Sequence, residues 1–180
     1  LHNDDELVSV LPCNATDNFF LATRLGKAIR CDINDVRIFV GRDSSGVRGI
    51  KLKPNDYVVS MSIVNPDIKQ YVLSVTENGF GKRTIVDDYR ITNRGGQGVA
   101  NIECSDRNGP VVSSYIVSSD DEIMLVTNVG KLIRLMVHEN DSNSIRVTGR
   151  KTQGVKLFDV SEEEKVVSVA LLLDNDDDAE

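Results

Sequence analysis

The most prominent chemical feature of the chain is a set of arginines that recurs at regular positions. Nine of the twelve arginines fall at three positions in each of three similar segments. The first position lies four residues after a predicted hairpin Gly, and the third lies four residues before a Gly-Val pair. The second lies between them and is displaced in the last segment by a polar insertion at residues 138–143. The nine are Arg30, Arg83 and Arg134, then Arg37, Arg90 and Arg146, then Arg42, Arg94 and Arg150.

Regularly spaced guanidinium groups could bind successive phosphates of a nucleic-acid backbone. The planar fork of Arg stays charged and matches phosphate oxygens, and such contacts position a duplex without reading its sequence. We therefore predict a phosphate-binding stripe along one rim of the fold. Its predicted members are Arg30, Arg37, Arg42, Arg48, Lys82, Arg83, Arg90, Arg94, Lys131, Arg134, Arg146, Arg150 and Lys151.

A purely structural role would produce the same spacing. Each guanidinium could clamp an acid such as Asp32, Asp35, Asp87 or Asp88, or could donate to loop carbonyls between neighbouring units. The sequence alone leaves both interpretations open for each arginine.

The elements that position these arginines also repeat. A short apolar strand recurs at residues 7–10, 58–61, 111–114 and 166–169, and three of its copies precede a β-rich run that ends in Thr-x-x-Gly. Such a Gly permits the positive φ of a tight hairpin loop. A repeat of this size stacks into propeller-like arrays. We predict an all-β fold of three four-stranded blades, each of roughly 52 residues, at approximately 7–57, 58–110 and 111–173.

The net charge of -7, taken as a total, argues against a nucleic-acid partner, but the acids are concentrated at the ends. Residues 174–180 contain five acids and no base, and residues 4–6 contain three more acids. The stretch between them carries 21 basic and 20 acidic residues. We predict that residues 174–180 form an acidic disordered tail.

Other functional classes find little support in the sequence. His2 and His138 have no nucleophile or metal-ligand pattern around them, so no catalytic residue and no metal site are predicted. Residues 79–82 lack the spacing of a phosphate-binding P-loop. No apolar run reaches the roughly 18 residues of a membrane span. We expect a cytoplasmic protein without membrane contact.

Several longer motifs carry a family resemblance. Residues 79–84 (GFGKRT), 88–90 (DYR), 94–98 (RGGQG) and 148–155 (TGRKTQGV) resemble the C-terminal domain of the DNA gyrase A subunit, in the family's order. The resemblance implies the last three blades of a β-pinwheel whose basic perimeter wraps double-stranded DNA. It also implies that wrapping gives chirality to ATP-dependent negative supercoiling by the whole type II topoisomerase. The implied partners are double-stranded DNA, the rest of the gyrase A subunit, and the gyrase B subunit.

The same resemblance implies no cofactor in this domain, because ATP and Mg act elsewhere in the holoenzyme. The strand-cleaving Tyr of the family also belongs to another domain.

One departure from the family pattern leaves alternatives open. The family's basic, glycine-rich box belongs to a first blade that is absent here, and residues 93–98 resemble a degenerate copy in which Asn93 and Gln97 replace basic residues. The topoisomerase IV A subunit therefore remains a second interpretation, and a protein-interaction propeller without DNA binding is a third. It also stays open whether three blades bind DNA without the box. In this family an acidic tail can compete with DNA for the basic rim.

Overall fold

The computed structural model describes residues 5–41, 44–137 and 144–172. Within these ranges it contains eleven β-strands, two 3-10 helices and no α-helix, which confirms the predicted all-β class. None of these described helices could cross a membrane. The 3-10 helices are Ile33–Asp35 and Val86–Asp88. The strands are β1 Asn18–Thr23, β2 Lys27–Asp32, β3 Val58–Val64, β4 Tyr71–Thr76, β5 Phe80–Ile85, β6 Val99–Ala100, β7 Val111–Val117, β8 Glu122–Thr127, β9 Leu132–Met136, β10 Val155–Lys156 and β11 Val166–Leu172.

The strands form three antiparallel sheets, one for each predicted blade. Sheet 1 has the order β3-β1-β2-β6, sheet 2 the order β10-β5-β4-β7 and sheet 3 the order β11-β8-β9. Each sheet is built on a hairpin, and the next segment of the chain supplies its outer strands. In sheet 1, for example, β1 pairs with β3 while β2 pairs with β6. This exchange of strands is the pinwheel arrangement expected from the resemblance.

Sheet 3 has three described strands, whereas four were predicted for every blade. In sheets 1 and 2 the strand beside the second hairpin strand is the short β6 or β10, and each belongs to the following repeat. No described segment follows the third repeat in this way, so β9 forms one edge of its sheet. The predicted acidic tail, residues 174–180, and the predicted loop insertion at residues 138–143 lie outside the described residues.

The first copy of the recurring strand, residues 7–10, lies outside all three sheets. Its counterparts β3, β7 and β11 each pair with the hairpin of the preceding repeat. Among the described residues, no strand pairs with this copy. Leu7 is 69% exposed and Val10 is 76% exposed.

The hydrophobic core lies between neighbouring sheets. Phe20 and Ala28 of sheet 1 pack with Val64, Val72 and Tyr89, and a larger cluster built around Leu73, Ile123 and Leu125 joins sheets 2 and 3. A single blade cannot bury both of its faces, so stacking supplies the hydrophobic stabilisation. In this stack, β3 of sheet 1 lies against β7 of sheet 2, and Ser60 Oγ donates to Ser114 O at 2.9 Å.

A buried cluster of polar side chains fixes the position of the exchanged strand β6 by hydrogen bonds. Asn101, which follows β6 and is fully buried, accepts hydrogen bonds from Tyr89 Oη at 2.6 Å and Ser74 Oγ at 3.1 Å. Its Nδ2 donates to Ser114 Oγ at 3.0 Å. The cluster connects the end of β6 to three other parts of the chain, so strand exchange depends on Asn101 as well as on backbone pairing.

We expect Asn101→Ala to reduce the free energy of unfolding by about 2 kcal/mol, because three buried hydroxyl groups lose a partner that water cannot easily replace. Urea denaturation measures this change. The exposed Asn93 is a matched control, and Asn93→Ala should change stability by less than about 0.5 kcal/mol. Equal effects of the two substitutions would contradict a structural role for the Asn101 cluster.

Candidate nucleic-acid interface

The arginine that follows the hairpin Gly is buried in the first two repeats. Arg30 is 6% exposed and donates to Asn18 Oδ1 at 2.8 Å and to Val86 O at 3.2 Å, with Asp87 Oδ1 at 3.3 Å. Arg83 is 1% exposed and donates from Nε to Ile145 O at 2.6 Å. Both side chains join their own sheet to the chain of the next repeat. This is the structural role that the sequence left open, so Arg30 and Arg83 do not enter the proposed interface.

Lys82, another predicted phosphate ligand, is also buried. It is 1% exposed, and its Nζ donates to Gly149 O at 2.6 Å and Arg150 O at 2.9 Å. Its ammonium group therefore contacts the underside of a loop instead of the surface, and we leave it out of the direct phosphate contacts.

Arg94 and Arg150 lie at the joints between repeats. Arg94 is exposed, yet it donates from Nε to Asp35 O at 2.8 Å and from Nη1 to Arg48 O at 3.3 Å. Arg150 is partly buried, donates to Ala100 O at 3.1 Å and lies 5.8 Å from the centre of the Tyr89 ring. Both hold neighbouring segments together, and Arg94 also presents charge at the surface.

Five further predicted residues are exposed. Arg37 lies over the Phe39 ring at 5.4 Å. The side chains of the other four make no hydrogen bond or ion pair to another described residue. Arg42 lies outside the described residues. The four unpaired residues are Arg48, Arg90, Arg146 and Lys151.

In sheet 3 the predicted basic residues are paired with acids. Lys131 Nζ lies 2.8 Å from Glu164 Oε2, and Arg134 forms an ion pair with Glu122. The hydrogen bond from Lys131 holds the pKa of Glu164 below its ordinary value. Arg134 stands at the repeat position of Arg30 and Arg83, but it is exposed because no described strand lies beyond β9. These two charges are partly neutralised within the blade.

The structure adds lysines that the spacing argument did not include. Lys51 and Lys53 line a surface cavity of about 330 Å³ together with Lys27 and Gln97. Gln97 also lines a second cavity of about 330 Å³, which Arg90 lines too. The sequence signal for the two lysines was their alternation in residues 51–53, which begin four residues after Val47 of the Gly-Val pair. They were missed because they have no counterparts in the other two repeats.

These residues surround the loop that resembles the family's glycine-rich box. Gly95 N donates to Gly49 O at 2.5 Å and Lys51 N donates to Gly96 O at 2.8 Å, so the loop is fixed to the segment that carries Arg48 and the lysines. The carboxylate of the nearby Asp56 accepts from the backbone N–H groups of Leu25 and Tyr57. We call Lys27, Arg48, Lys51, Lys53 and Arg90 the basic surface of sheet 1.

Sheet 2 presents a smaller counterpart. Arg83 forms a parallel bridge with Val147 just as Arg30 does with Ile91, so Arg146 corresponds to Arg90. Glu103 N donates to Thr152 O at 3.0 Å, and this bond ties the loop that carries Lys151 to the chain just beyond β6. We call Arg146 and Lys151 the basic surface of sheet 2.

The described residues contain no obvious catalytic or metal-binding constellation. No group of three or more His, Cys, Asp or Glu side chains among them could hold a metal ion. Burial raises the pKa of Tyr89, whose hydroxyl group donates to Asn101.

Comparison with known proteins assigns the family. Residues 17–65, 70–118 and 121–172 match the family described as DNA gyrase C-terminal domain, beta-propeller. The DNA gyrase A subunit of Rickettsia typhi is 37% identical over 226 residues, in an alignment that covers 100% of this chain and 24% of that protein. The chain thus spans about a quarter of the length of this relative.

Solved structures share the fold. The C-terminal domain of DNA topoisomerase IV superposes with a TM-score of 0.85 at 26% identity, covering 96% of this chain and 51% of the other. A DNA gyrase A C-terminal domain superposes with a TM-score of 0.54 at 23% identity, covering 89% of this chain and 67% of the other. Three repeats match one family model in order and together cover most of the residues, so this chain belongs to the DNA gyrase C-terminal domain family.

Proposed function

We propose that the chain binds the phosphate backbone of double-stranded DNA through the basic surfaces of sheets 1 and 2. The observation that carries the proposal is the convergence of Lys27, Arg48, Lys51, Lys53 and Arg90 around one loop. Lys27 is half-buried and the other four are exposed, and such cations are suited to neutralise phosphates and release counterions. Binding is not sequence-specific, because phosphate contacts do not distinguish base pairs.

Within the longer protein, this domain acts as the DNA-wrapping part of the gyrase A subunit. In this proposal a bent duplex follows the basic surfaces from sheet 1 to sheet 2, and the bending energy is offset by the added phosphate contacts. Wrapping of a fixed hand would give chirality to ATP-dependent negative supercoiling by the complete bacterial enzyme in the cytoplasm. Its partners are the gyrase B subunit, which completes the holoenzyme, and the remainder of its own polypeptide. The ATP and Mg sites belong to these partners.

Salt dependence of affinity tests the binding proposal. For about six phosphate contacts, log affinity should fall with log salt at a slope of about -5, and affinity should fall about a thousandfold between 50 and 200 mM salt. Fluorescence anisotropy with duplexes of about 40 base pairs and unrelated sequences measures both the slope and the sequence tolerance. Affinity that barely changes with salt, or that follows one sequence, would contradict backbone binding.

A second candidate is the corresponding domain of the topoisomerase IV A subunit, which the TM-score of 0.85 to a topoisomerase IV domain supports. The two functions can be distinguished by relaxing a closed DNA circle while the chain is present and then measuring the linking number of the circle. Wrapping of a fixed hand should shift the linking number of the relaxed circle in one direction. Binding without such a shift would favour the second candidate.

A further inference from the structure

The buried Lys82 has no equivalent in the first sheet. Lys82 lies three residues after Gly79 in β5, and the corresponding residue of β2, three residues after Gly26, is Ile29. Both side chains lie beneath a loop of the following repeat. A Cβ atom placed on Gly96 would be 3.8 Å from Ile29 Cδ1, whereas Lys82 Nζ contacts the carbonyl oxygens of Gly149 and Arg150. The same place in the fold therefore holds an apolar side chain in one blade and an ammonium group in the next.

The two loops are also anchored differently. In sheet 1, Lys51 N donates to Gly96 O and Gly95 N donates to Gly49 O. In sheet 2, the bond from Glu103 N to Thr152 O matches the first of these contacts. No backbone hydrogen bond among the described residues matches the second, which would join residues 101 and 151. Lys82 supplies two hydrogen bonds at that end of the loop, to the two consecutive carbonyl oxygens that precede Lys151.

We propose that Lys82 is a positioning residue: its buried ammonium group holds the loop at 149–153 so that Lys151 is presented to a DNA phosphate. The inference rests on the proposed DNA-binding function. It assigns Lys82 an indirect role, in place of the direct phosphate contact predicted for it as a neighbour of the recurring arginines. The exposed partner through which it acts is Lys151, which lies between the Lys82-bound carbonyl of Arg150 and the Glu103-bound carbonyl of Thr152.

The electrostatic surroundings give this role a measurable signature. Burial, followed by repulsion from Arg150 in the loop, lowers the pKa of Lys82 from 10.5 to about 8, while Asp88 in the turn after β5 opposes the shift. The native chain therefore loses this proton more easily than the unfolded chain. Lys82 makes folding more favourable as pH rises from about 8 to 10.5, because the cost of a buried charge disappears. DNA binding changes in the opposite direction, because the loop loses a charge-assisted clamp as the native ammonium group loses its proton around pH 8.

Lys82→Met tests the proposal in the full 180-residue chain. Ile29 shows that an apolar side chain fits beneath such a loop, so this variant should fold, and thermal unfolding checks that it does. We expect amide hydrogen exchange at residues 149–153 to become about tenfold faster. Affinity for a duplex of about 40 base pairs at pH 7 should fall about fivefold. Lys69→Met, which removes one exposed positive charge from a loop outside both basic surfaces, should change neither quantity.

Two comparisons separate positioning from a general loss of charge. Affinity of the unmodified chain should fall about fivefold from pH 7 to pH 9, whereas Lys82→Met should give a flat profile. In a Lys151→Gln background, Lys82→Met should have no further effect on affinity. A folded Lys82→Met variant with unchanged loop exchange, or with an unchanged pH profile, would overturn the inference. If the unmodified chain does not bind DNA, the proposed function fails, and loop exchange alone then decides whether Lys82 holds the loop.

Discussion

Removing four charges from the two basic surfaces should weaken duplex binding at least about a hundredfold at 100 mM salt. The variant combines Lys51→Gln, Lys53→Gln, Arg90→Gln and Arg146→Gln. Each lost phosphate contact should also make the slope of log affinity against log salt shallower by about 0.9, so the slope should change by about 4 units. Anisotropy titrations over a range of salt concentrations measure both effects. The four side chains are exposed and make no bond to another described residue, so the fold should be unaffected.

The matched control removes positive charge elsewhere. Lys69, in a loop, and Arg107, in a turn, are exposed and lie outside both basic surfaces. Lys69→Gln combined with Arg107→Gln lowers the net charge without touching the proposed contacts, and the salt slope should stay within about half a unit of the original. Equal losses per charge in the two variants would mean that overall charge governs affinity, and that no defined surface holds the duplex.

Strand exchange makes Gly154→Ala the most destabilising of the proposed single substitutions. Gly154 has φ +78°, and a Cβ atom there would lie 2.7 Å from the carbonyl oxygen of Gly81, with which β10 pairs. Left-handed backbone and a clash with another backbone segment add together. We expect the free energy of unfolding to fall by about 3 kcal/mol or more. The pairing of β10 with sheet 2 would be lost first, and Lys151 would lose its position because its loop leads into β10.

Gly46 provides a close internal control for this substitution. It leads the corresponding Gly-Val pair of the first repeat and has φ +74°, but a Cβ atom there would meet nothing within 4 Å. Gly46→Ala should therefore show only the backbone penalty, about 1 kcal/mol. Denaturant unfolding of both variants measures the difference. If Gly46→Ala and Gly154→Ala cost the same, close approach of the exchanged strand would not be what Gly154 provides.

The repeat pattern predicted the architecture well, because every repeat must stack the same hairpin on its neighbours. It could not predict which copies would be paired. Residues 7–10 match β3, β7 and β11 in sequence, yet they lie outside the sheets since pairing requires a preceding hairpin. Arg134 likewise matches Arg30 and Arg83, but its environment depends on whether another strand covers β9. The period of the sequence shows where each repeat lies, whereas the pairing of a strand depends on which repeats lie next to it.

The candidate site was only partly predictable for a related reason. A recurring Arg indicates a recurring environment, and both a phosphate-binding rim and a buried clamp recur with the blades. The structure separates Arg90 and Arg146, which are exposed, from Arg30 and Arg83, which tie repeats together. Lys51 and Lys53 have no repeat counterpart, so a search for periodic charge could not find them. Burial in the stacked array determines whether an arginine is exposed or ties two repeats together. The spacing of residues in the sequence does not encode this burial.

The most direct test of the proposed interface is a map of lysine acetylation in the presence and absence of duplex DNA, read by mass spectrometry. Lys27, Lys51, Lys53 and Lys151 should become less reactive when DNA is bound, because phosphates cover their ammonium groups. Lys69 should react equally in both states. Protection of Lys69 without protection of Lys51, Lys53 and Lys151 would contradict the proposed surface and place the duplex elsewhere on the domain.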